Sequence, residues 1–346
     1  MYWWIICLTG LFFISSISIV QCQLDYNDER DFLSSALDER RSDDASIDTL
    51  WNILKRNKSW MDEFDEYADD LAYSKRASGI SYTRQIDSST CGRPIIAPKL
   101  TERIYGGSVA IPHSWPWIGK FFIKKKKTCA NNKKCYGVCG GTLLNSRYVL
   151  TAAHCINNKT NPGAITVVAG LHNKELVSES VRRQFLPVRA VIVHPGWNPD
   201  KLENDLAILR LATPATFNTY VQPACLPGPD PRPGSTVYLI GWGSEMLNGQ
   251  PHHVLKQAPV EVIGNCEKYW QQINNEQQIC LGHRTTGFSA CKGDSGGSAM
   301  QKHGSQWVIE GVASYVSDCK TEKDLPPNVY VRVSAYLPWI KSIINR

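Results

Sequence analysis

Short runs of apolar and β-branched residues follow one another along the chain from Ile104 onward. RYVLTAAHC, DLAILRL, STVYLIGWG and NVYVRV are four of these runs, and turns rich in Gly, Pro and Asn separate them. Many short strands with frequent turns are typical of an antiparallel sandwich or barrel. The final stretch, VSAYLPWIKSIINR, instead places apolar residues at helical spacing. We therefore predict an all-β fold that ends in a helix.

The N-terminal part of the chain has a different pattern. Residues 1–22, MYWWIICLTGLFFISSISIVQC, are apolar and uncharged, which predicts a secretory signal peptide that is removed before Gln23. A signal anchor is the alternative, because the run is nearly long enough to span a bilayer. Residues 50–71 carry apolar side chains at helical spacing among acidic ones, so one or two amphipathic helices are expected there.

Charge and cysteine content divide the chain in the same way. Residues 23–90 contain 16 acidic and 9 basic residues, whereas residues 104–346 contain 26 basic and 15 acidic residues. Of the 12 cysteines, Cys7 and Cys22 would leave with the signal peptide. The remaining ten are an even number, which suits an oxidising compartment. We therefore expect a secreted protein with an acidic front segment and a basic body.

Three separated motifs contain candidate catalytic residues. CKGDSGG places Ser295 between an Asp and two Gly, a pattern that also fits a plain turn or the nucleophile elbow of α/β-hydrolases. TAAHC places His154 at the end of an apolar strand, and ENDLAILRL places Asp205 before another. A nucleophile, a base and a carboxylate that orients the base are thus available. Their order along the chain excludes the α/β-hydrolase interpretation, in which the acid and the histidine follow the serine.

These motifs, together with RIYGG, SWPW, GWG and SYVS, resemble the trypsin/chymotrypsin family of serine endopeptidases over residues 91–346. The resemblance implies two antiparallel six-stranded β-barrels with a C-terminal helix, preceded by an acidic, partly helical propeptide. The propeptide would span residues 23–103 and the protease domain residues 104–346. The rival interpretation is a non-catalytic protease homologue that binds proteins or glycosaminoglycans. The presence of all three triad residue types disfavours it.

The resemblance also implies a role for each residue of the catalytic site. His154, Asp205 and Ser295 would form the triad, and the backbone N–H groups of Gly293 and Ser295 would form the oxyanion hole. This chemistry requires no metal and no cofactor. The expected partners are protein or peptide substrates and protease inhibitors, and no nucleic acid.

Activation is implied to follow cleavage between Arg103 and Ile104. The new ammonium group of Ile104 would then pair with Asp294, next to the nucleophile. A cut after Arg requires a trypsin-like activating protease, and the specificity pocket described next indicates that this protein is not itself one.

In this family, the residue six positions before the nucleophile forms the base of the primary specificity pocket, and an Asp there selects Arg or Lys. This chain has the uncharged Ser289 at that position, and Val316 and Asn328 stand where Gly is usual. We therefore expect elastase-like cleavage after small uncharged residues, with a chymotrypsin-like preference for aromatic residues as the alternative. The predicted pocket residues are Ser289, Ser314, Tyr315, Val316 and Asn328.

Family pairing of the cysteines implies four disulfides and leaves two cysteines of a Lys-rich loop to bond each other. The loop, KKKKTCANNKKC, is interpreted either as a binding site for acidic partners such as sulfated glycosaminoglycans or as a solvated basic loop. Asn57 and Asn158 lie in glycosylation motifs. The implied bridges are Cys91–Cys225, Cys139–Cys155, Cys266–Cys280, Cys291–Cys319 and Cys129–Cys135.

Overall fold

A computed structural model describes residues 90–100, 107–128, 134–156, 160–244, 249–282, 293–316 and 326–345. The signal and propeptide predictions before residue 90, and both predicted glycosylation sites, lie outside these residues. The first described strand, β1, is Ser108–Val109. Twelve further strands form two closed antiparallel barrels.

The first barrel takes its six strands from the first half of the described chain. These are β2 (Ile118–Thr128), β3 (Lys134–Asn145), β4 (Tyr148–Thr151), β5 (Ile165–Ala169), β6 (Gln184–Val193) and β7 (Ala207–Leu211). They close in the order β2-β3-β4-β7-β6-β5. Phe121, Leu150 and Ile208 are fully buried in the core of this barrel. Gly141 of β3 has no room for a side chain, because Val149 of β4 packs against its backbone.

The second barrel is built from the remaining six strands. These are β8 (Thr236–Gly241), β9 (Lys256–Ile263), β10 (Gln278–Gly282), β11 (Ser298–His303), β12 (Gln306–Tyr315) and β13 (Asn328–Arg332). They run in the order β8-β9-β10-β13-β12-β11, and β8 pairs with both β9 and β11 to close the barrel. Strand β1 adds to the edge at β9, where Ser108 is the partner of Gln257. Val237, Ile279 and Tyr330 belong to its buried core.

Aromatic residues connect the two barrels. Trp115, which precedes β2, donates its indole N–H to Gln257 of β9 at 2.8 Å and packs edge-on against Trp307 of β12, with 4.6 Å between ring centroids. The C-terminal helix α1, Leu337–Ile344, follows the second barrel. Its Trp339 packs edge-on against His194, which lies just after β6, with 4.9 Å between the ring centroids. The prediction of two six-stranded barrels with a C-terminal helix is confirmed. Within the described ranges, no helix has the length and apolar character needed to cross a membrane.

The segment before β1 is fastened to the second barrel. Gly92 donates its N–H to Pro223 and accepts from the N–H of Trp307, each at 2.8 Å. The structure contains the bridges Cys91–Cys225, Cys139–Cys155 and Cys266–Cys280. The predicted pairs Cys129–Cys135 and Cys291–Cys319 lie outside the described part of the chain.

Candidate active site

His154 and Asp205 meet because their two strands are neighbours in the first barrel. His154 lies in the 3-10 turn that directly follows β4, and Asp205 lies just before β7. The two strands pair so that Thr151 is the partner of Ala207. The imidazole Nδ1 of His154 is 2.7 Å from Oδ2 of Asp205, and the backbone N–H of His154 donates to Oδ1 at 2.8 Å.

The second barrel contributes a further donor to the same carboxylate. Ser314 of β12 donates its hydroxyl to Oδ2 of Asp205 at 2.6 Å. The β12–β13 register shifts between Ala313 and Tyr315, so Ser314 lies at a β-bulge. Asp205 is fully buried. Burial of a carboxylate is costly unless donors satisfy it, and these three hydrogen bonds supply that compensation.

The residue before Asp205 is also held in place. Asn204 adopts the left-handed backbone region, with φ of 53°, which Asn tolerates better than most residues. Its side-chain amide donates to the carbonyl of Gly196 at 2.9 Å and accepts from the hydroxyl of Tyr336 at 3.0 Å. Burial, followed by the charges of Asp205 and Glu203, raises the pKa of Tyr336 to about 12, so its hydroxyl remains a donor.

The loop that contains Ser295 is packed against β3 and β4 of the first barrel. Gly140 of β3 donates its N–H to the carbonyl of Ser295 at 2.8 Å. Gly296 has φ of 72°, and a Cβ there would overlap the Thr151 hydroxyl and the Gly140 carbonyl. Since Thr151 ends β4, this loop of the second barrel is packed beside the turn that presents His154.

The carboxylate of Asp294 lies against the backbone at the end of β8. Gly243 donates its N–H to Oδ1 at 2.7 Å, and a Cβ at either Gly241 or Gly243 would overlap the carboxylate. The GWG motif needs glycine at both ends, because the Asp294 carboxylate occupies the space that a side chain at Gly241 or Gly243 would fill. Arg103 and Ile104, the predicted activation site, lie outside the described residues.

Comparison with known proteins identifies the family to which this site belongs. The family model named Trypsin matches residues 104–340. This chain belongs to the trypsin family. It is 35% identical to chymotrypsin-C of Bos taurus over 264 residues, which cover 73% of this chain and 93% of that protein. It is 36% identical to chymotrypsin-C of Mus musculus over 268 residues, which cover 75% of this chain and 95% of that protein.

Membership of the trypsin family makes the protein a serine endopeptidase, a hydrolase that acts on protein or peptide substrates. The geometry suits such chemistry. The Asp205 carboxylate can only accept a hydrogen bond, so it favours the tautomer of His154 that has its proton on Nδ1. Nε2 is then available to accept a proton. The His154 side chain is 25% exposed, whereas Asp205 is fully buried. The imidazole is therefore accessible from the surface, while the carboxylate that holds it is shielded from water.

The residues predicted to line the specificity pocket lie at one end of two paired strands. Ser314, Tyr315 and Val316 are at the end of β12, and Asn328 begins β13. Tyr315 is the register partner of Val329, so the two ends are adjacent. Asn328 is buried, with 1% of its surface exposed. Ser289, the predicted base of the pocket, lies outside the described residues.

One group of side chains near the site resembles a metal-ligand set. The potential ligand atoms of Cys139, His154 and Cys155 lie within 4.8 Å of one another. Both cysteines, however, are joined in a disulfide. Their sulfurs are therefore not the thiolates that bind metals, and the group does not form a metal centre.

Sequence reasoning missed the parts of the site that act through Asp205. It placed Ser314 in the substrate pocket and gave no sign of its hydrogen bond to the carboxylate. It also missed Asn204 and Tyr336, although an Asn directly before the Asp of ENDLAILRL is a recognisable signal for a left-handed turn. Lys120 was missed as well, despite being a single Lys in the otherwise apolar run PWIGKFF.

Proposed function

We propose that this trypsin-family protein is a secreted zymogen whose mature form cleaves peptide bonds with a triad of His154, Asp205 and Ser295. The observation that carries the proposal is the pair of hydrogen bonds from His154 to the buried Asp205, beside the loop of Ser295. His154 accepts the hydroxyl proton of Ser295 while the Ser295 Oγ attacks the substrate carbonyl. His154 then protonates the leaving amine. Asp205 keeps the imidazole in the required tautomer.

Charge that develops on the substrate carbonyl requires donors. We assign this role to the backbone N–H groups of Gly293 and Ser295. Gly293 has φ of 103°, a conformation that favours glycine, so the backbone can take the sharp turn before the nucleophile. Removal of one such donor typically lowers kcat by roughly a hundred- to a thousandfold.

Activation is proposed to follow cleavage after Arg103 by a separate trypsin-like protease. The new ammonium group of Ile104 then pairs with Asp294, whose neighbour in the chain is Ser295. Two observations support this step. The match to the Trypsin family model begins at residue 104, and the Asp294 carboxylate is enclosed by Gly241 and Gly243. Once this ion pair has formed, loss of one partner would leave a charge uncompensated, which for a buried pair costs about 3–5 kcal/mol.

For the residue before the cleaved bond (P1), we propose small uncharged side chains, as in elastases. The support is the uncharged Ser289, the branched Val316 at the end of β12 and the buried Asn328 at the start of β13. A chymotrypsin-like preference for aromatic P1 residues is the alternative, since both relatives described above are named chymotrypsin-C.

Two observations support secretion: the apolar N-terminal segment and the three disulfides found among the described residues. Protease inhibitors and the activating protease are the proposed protein partners. Lys124 and Lys125, which begin the Lys-rich loop, are exposed at the end of β2. They support an interaction with acidic glycosaminoglycans, and a solvated basic segment is the alternative interpretation.

The test is a P1 profile of the activated enzyme. The precursor is cleaved at Arg103 with trypsin, purified, and assayed against a peptide library, with Ser295→Ala as the matched inactive control. We expect cleavage after Ala, Val, Ser or Thr, and none by the control. Cleavage after Phe or Tyr would replace the elastase-like specificity with the alternative. Failure to cleave any peptide, with Ile104 free at the N-terminus, would refute the catalytic proposal.

A further inference from the structure

Lys120 is a buried lysine for which the proposed catalytic steps have no use. It lies in β2, and only 3% of its surface is exposed. Its Nζ is 5.4 Å from the centroid of the Trp242 ring. An ammonium group in such a place is costly unless another charge or a ring face compensates it. Burial is the main reason why the pKa of Lys120 falls to about 7.

The Asp294 carboxylate lies against the backbone of the same GWG motif. Gly241 and Gly243 flank Trp242, and both contact this carboxylate through their backbone. Lys120 thus faces the ring of Trp242, and the two glycines on either side of Trp242 hold the Asp294 carboxylate. The negative charge of Asp294 raises the pKa of Lys120 and partly opposes the effect of burial.

Other charged and titratable groups around Lys120 come from neighbouring elements. Lys174, also buried, lies in the segment after β5, and its charge lowers the pKa of Lys120. His172, from the same segment, accepts the Trp242 indole N–H at its carbonyl, and burial lowers the pKa of its imidazole. Tyr330 of β13 is buried, and burial and the charge of Asp294 raise its pKa. Among these groups, Asp294 supplies the negative charge and Lys174 a second positive one.

We propose that Lys120 is a positioning residue that compensates the Asp294 carboxylate in the uncut chain and competes there with the ammonium group of Ile104. This inference rests on the activation step of the proposed function. Before cleavage, Lys120 is a buried cation in the surroundings of the carboxylate beside Ser295. After cleavage, a second cation arrives, and two desolvated ammonium groups repel each other. Arrival of Ile104 therefore favours release of the Lys120 proton.

The test uses the full-length precursor made resistant to activation by Arg103→Gln. The probe is the dipeptide Ile-Tyr, which has the sequence of residues 104–105 and offers the same ammonium group without cleavage. Its affinity is measured by calorimetry, and hydrolysis of a peptide ester is followed in parallel. Removal of the competing cation by Lys120→Met should tighten dipeptide binding at pH 7 by roughly tenfold, which corresponds to one pKa unit of competition.

Lys174→Met is the matched control, since it removes a second buried lysine from the same surroundings. Loss of a like charge keeps Lys120 protonated, so this variant should bind the dipeptide more weakly than the parent. The two Lys→Met changes thus have opposite expected signs, which a general loosening of the fold would not produce. Melting temperatures of both variants establish that each is folded.

A pH series of the Arg103→Gln parent provides a measurement without any change at Lys120. Between pH 6 and pH 7.5 the dipeptide should bind more tightly as pH rises, because Lys120 loses its proton while the dipeptide ammonium, with a pKa near 8, stays charged. Lys120→Arg, which stays charged throughout, should abolish this rise.

Equal dipeptide affinities in the parent, Lys120→Met and Lys174→Met would overturn the inference, as would shifts of the same sign in both variants. Failure of the proposed function has a different signature. In that case the enzyme cleaved after Arg103, with Lys120 intact, hydrolyses no substrate. An active cleaved enzyme with equal dipeptide affinities would therefore count against Lys120 alone.

Discussion

At the residue scale, the hydrogen bonds of one carboxylate, that of Asp205, fix the orientation of the His154 imidazole. Asp205 accepts from the Nδ1–H and the backbone N–H of His154, and from the hydroxyl of Ser314. Full burial places these bonds in a low dielectric, where each is stronger than in water. The imidazole is thereby held in one orientation and one tautomer before a substrate arrives.

Asp205→Asn tests this role. An amide at this position offers an N–H where Nδ1 needs an acceptor, so the imidazole adopts the wrong tautomer. We expect kcat at neutral pH to fall by roughly ten-thousandfold, with little change in KM. Activated enzyme with its N-terminus verified by mass spectrometry provides the measurement. A decrease smaller than tenfold would contradict the assignment of Asp205 as the orienting residue.

Ser314→Ala is a milder change at the same carboxylate. It removes one of the three described donors and leaves both contacts of His154. Hydrogen bonds to charged groups contribute about 1.5–3 kcal/mol, so kcat should fall by roughly ten- to a hundredfold. An unchanged kcat would show that the Ser314 hydroxyl does not support Asp205.

At the scale of elements, the loop before β11 works only if its backbone packs closely on the first barrel. Gly296 provides this close contact, because Thr151 and Gly140 leave no room for a side chain. The loop places Ser295, the proposed nucleophile, beside the turn of the first barrel that carries His154, the proposed base. The distance between them therefore depends on this glycine.

Gly296→Ala should abolish activity, since the new Cβ would push the loop away from β4. Gly304→Ala is the matched control: Gly304 also has a positive φ, of 58°, but nothing lies within 4 Å of the added Cβ. The control should lose only about 1–2 kcal/mol of stability from backbone strain and keep its activity. Peptide hydrolysis and thermal unfolding of both variants distinguish the effects. Full activity of Gly296→Ala would mean that the loop tolerates displacement.

The Cys91–Cys225 bridge connects the segment before the proposed cleavage site with the chain that leads into the second barrel. We expect the wild-type propeptide to remain covalently attached after cleavage at Arg103 and to be released only on reduction. In the double variant Cys91→Ser/Cys225→Ser, cleavage should release it without a reductant. Gel electrophoresis with and without reductant provides the measurement. Release from the non-reduced wild-type protein would contradict the bridge.

At the scale of the whole molecule, a buried carboxylate in the second barrel connects stability with pH. Glu310 of β12 is 1% exposed, and burial raises its pKa to about 7, with the charge of Asp230 adding to this effect and that of Arg332 opposing it. His303 Nε2 is 3.1 Å from Oε1 of Glu310, but it is also 2.8 Å from Oε1 of Gln301. His303 is therefore shared between the Glu310 carboxylate and the Gln301 side chain.

The sign of the effect follows from the raised pKa. Below the unfolded value of 4.5, Glu310 is protonated in both states. Between pH 4.5 and about 7, the folded state keeps a proton that the unfolded state has lost. Wild-type stability therefore decreases as pH rises across this range, and the contribution of the protonated Glu310 is lost once pH passes the folded pKa. Relative to wild type, Glu310→Gln should be more stable above pH 7, by up to about 3 kcal/mol, and similar at pH 4.5.

Urea unfolding of wild type and Glu310→Gln at pH 5, 6, 7 and 8 measures this difference, with the exposed Glu276→Gln as control. The difference between wild type and Glu310→Gln should increase with pH, and the control should show no such trend. A constant difference across the series would indicate that Glu310 is already charged at pH 5.

Local patterns were sufficient for the strands, because alternation and β-branched content depend on near neighbours in the chain. The run DLAILRL became β7, and VSAYLPWIKSIINR became the 3-10 turn and the C-terminal helix. The closure of two separate six-stranded barrels followed from family resemblance alone. Strand order depends on pairings between distant segments, such as β8 with β11, which periodicity does not encode.

By itself, the sequence determined the class of fold, the family and the residue types of the candidate site, since each of these is written in short motifs. Only the tertiary structure decided which strand ends meet. It brought Ser314 to Asp205, 109 positions earlier in the chain, and Lys120 to the surroundings of Trp242 and Asp294. The physical reason is that hydrogen bonds and buried charges act over a few ångströms. Their partners are therefore chosen by barrel closure and packing, and not by position along the chain.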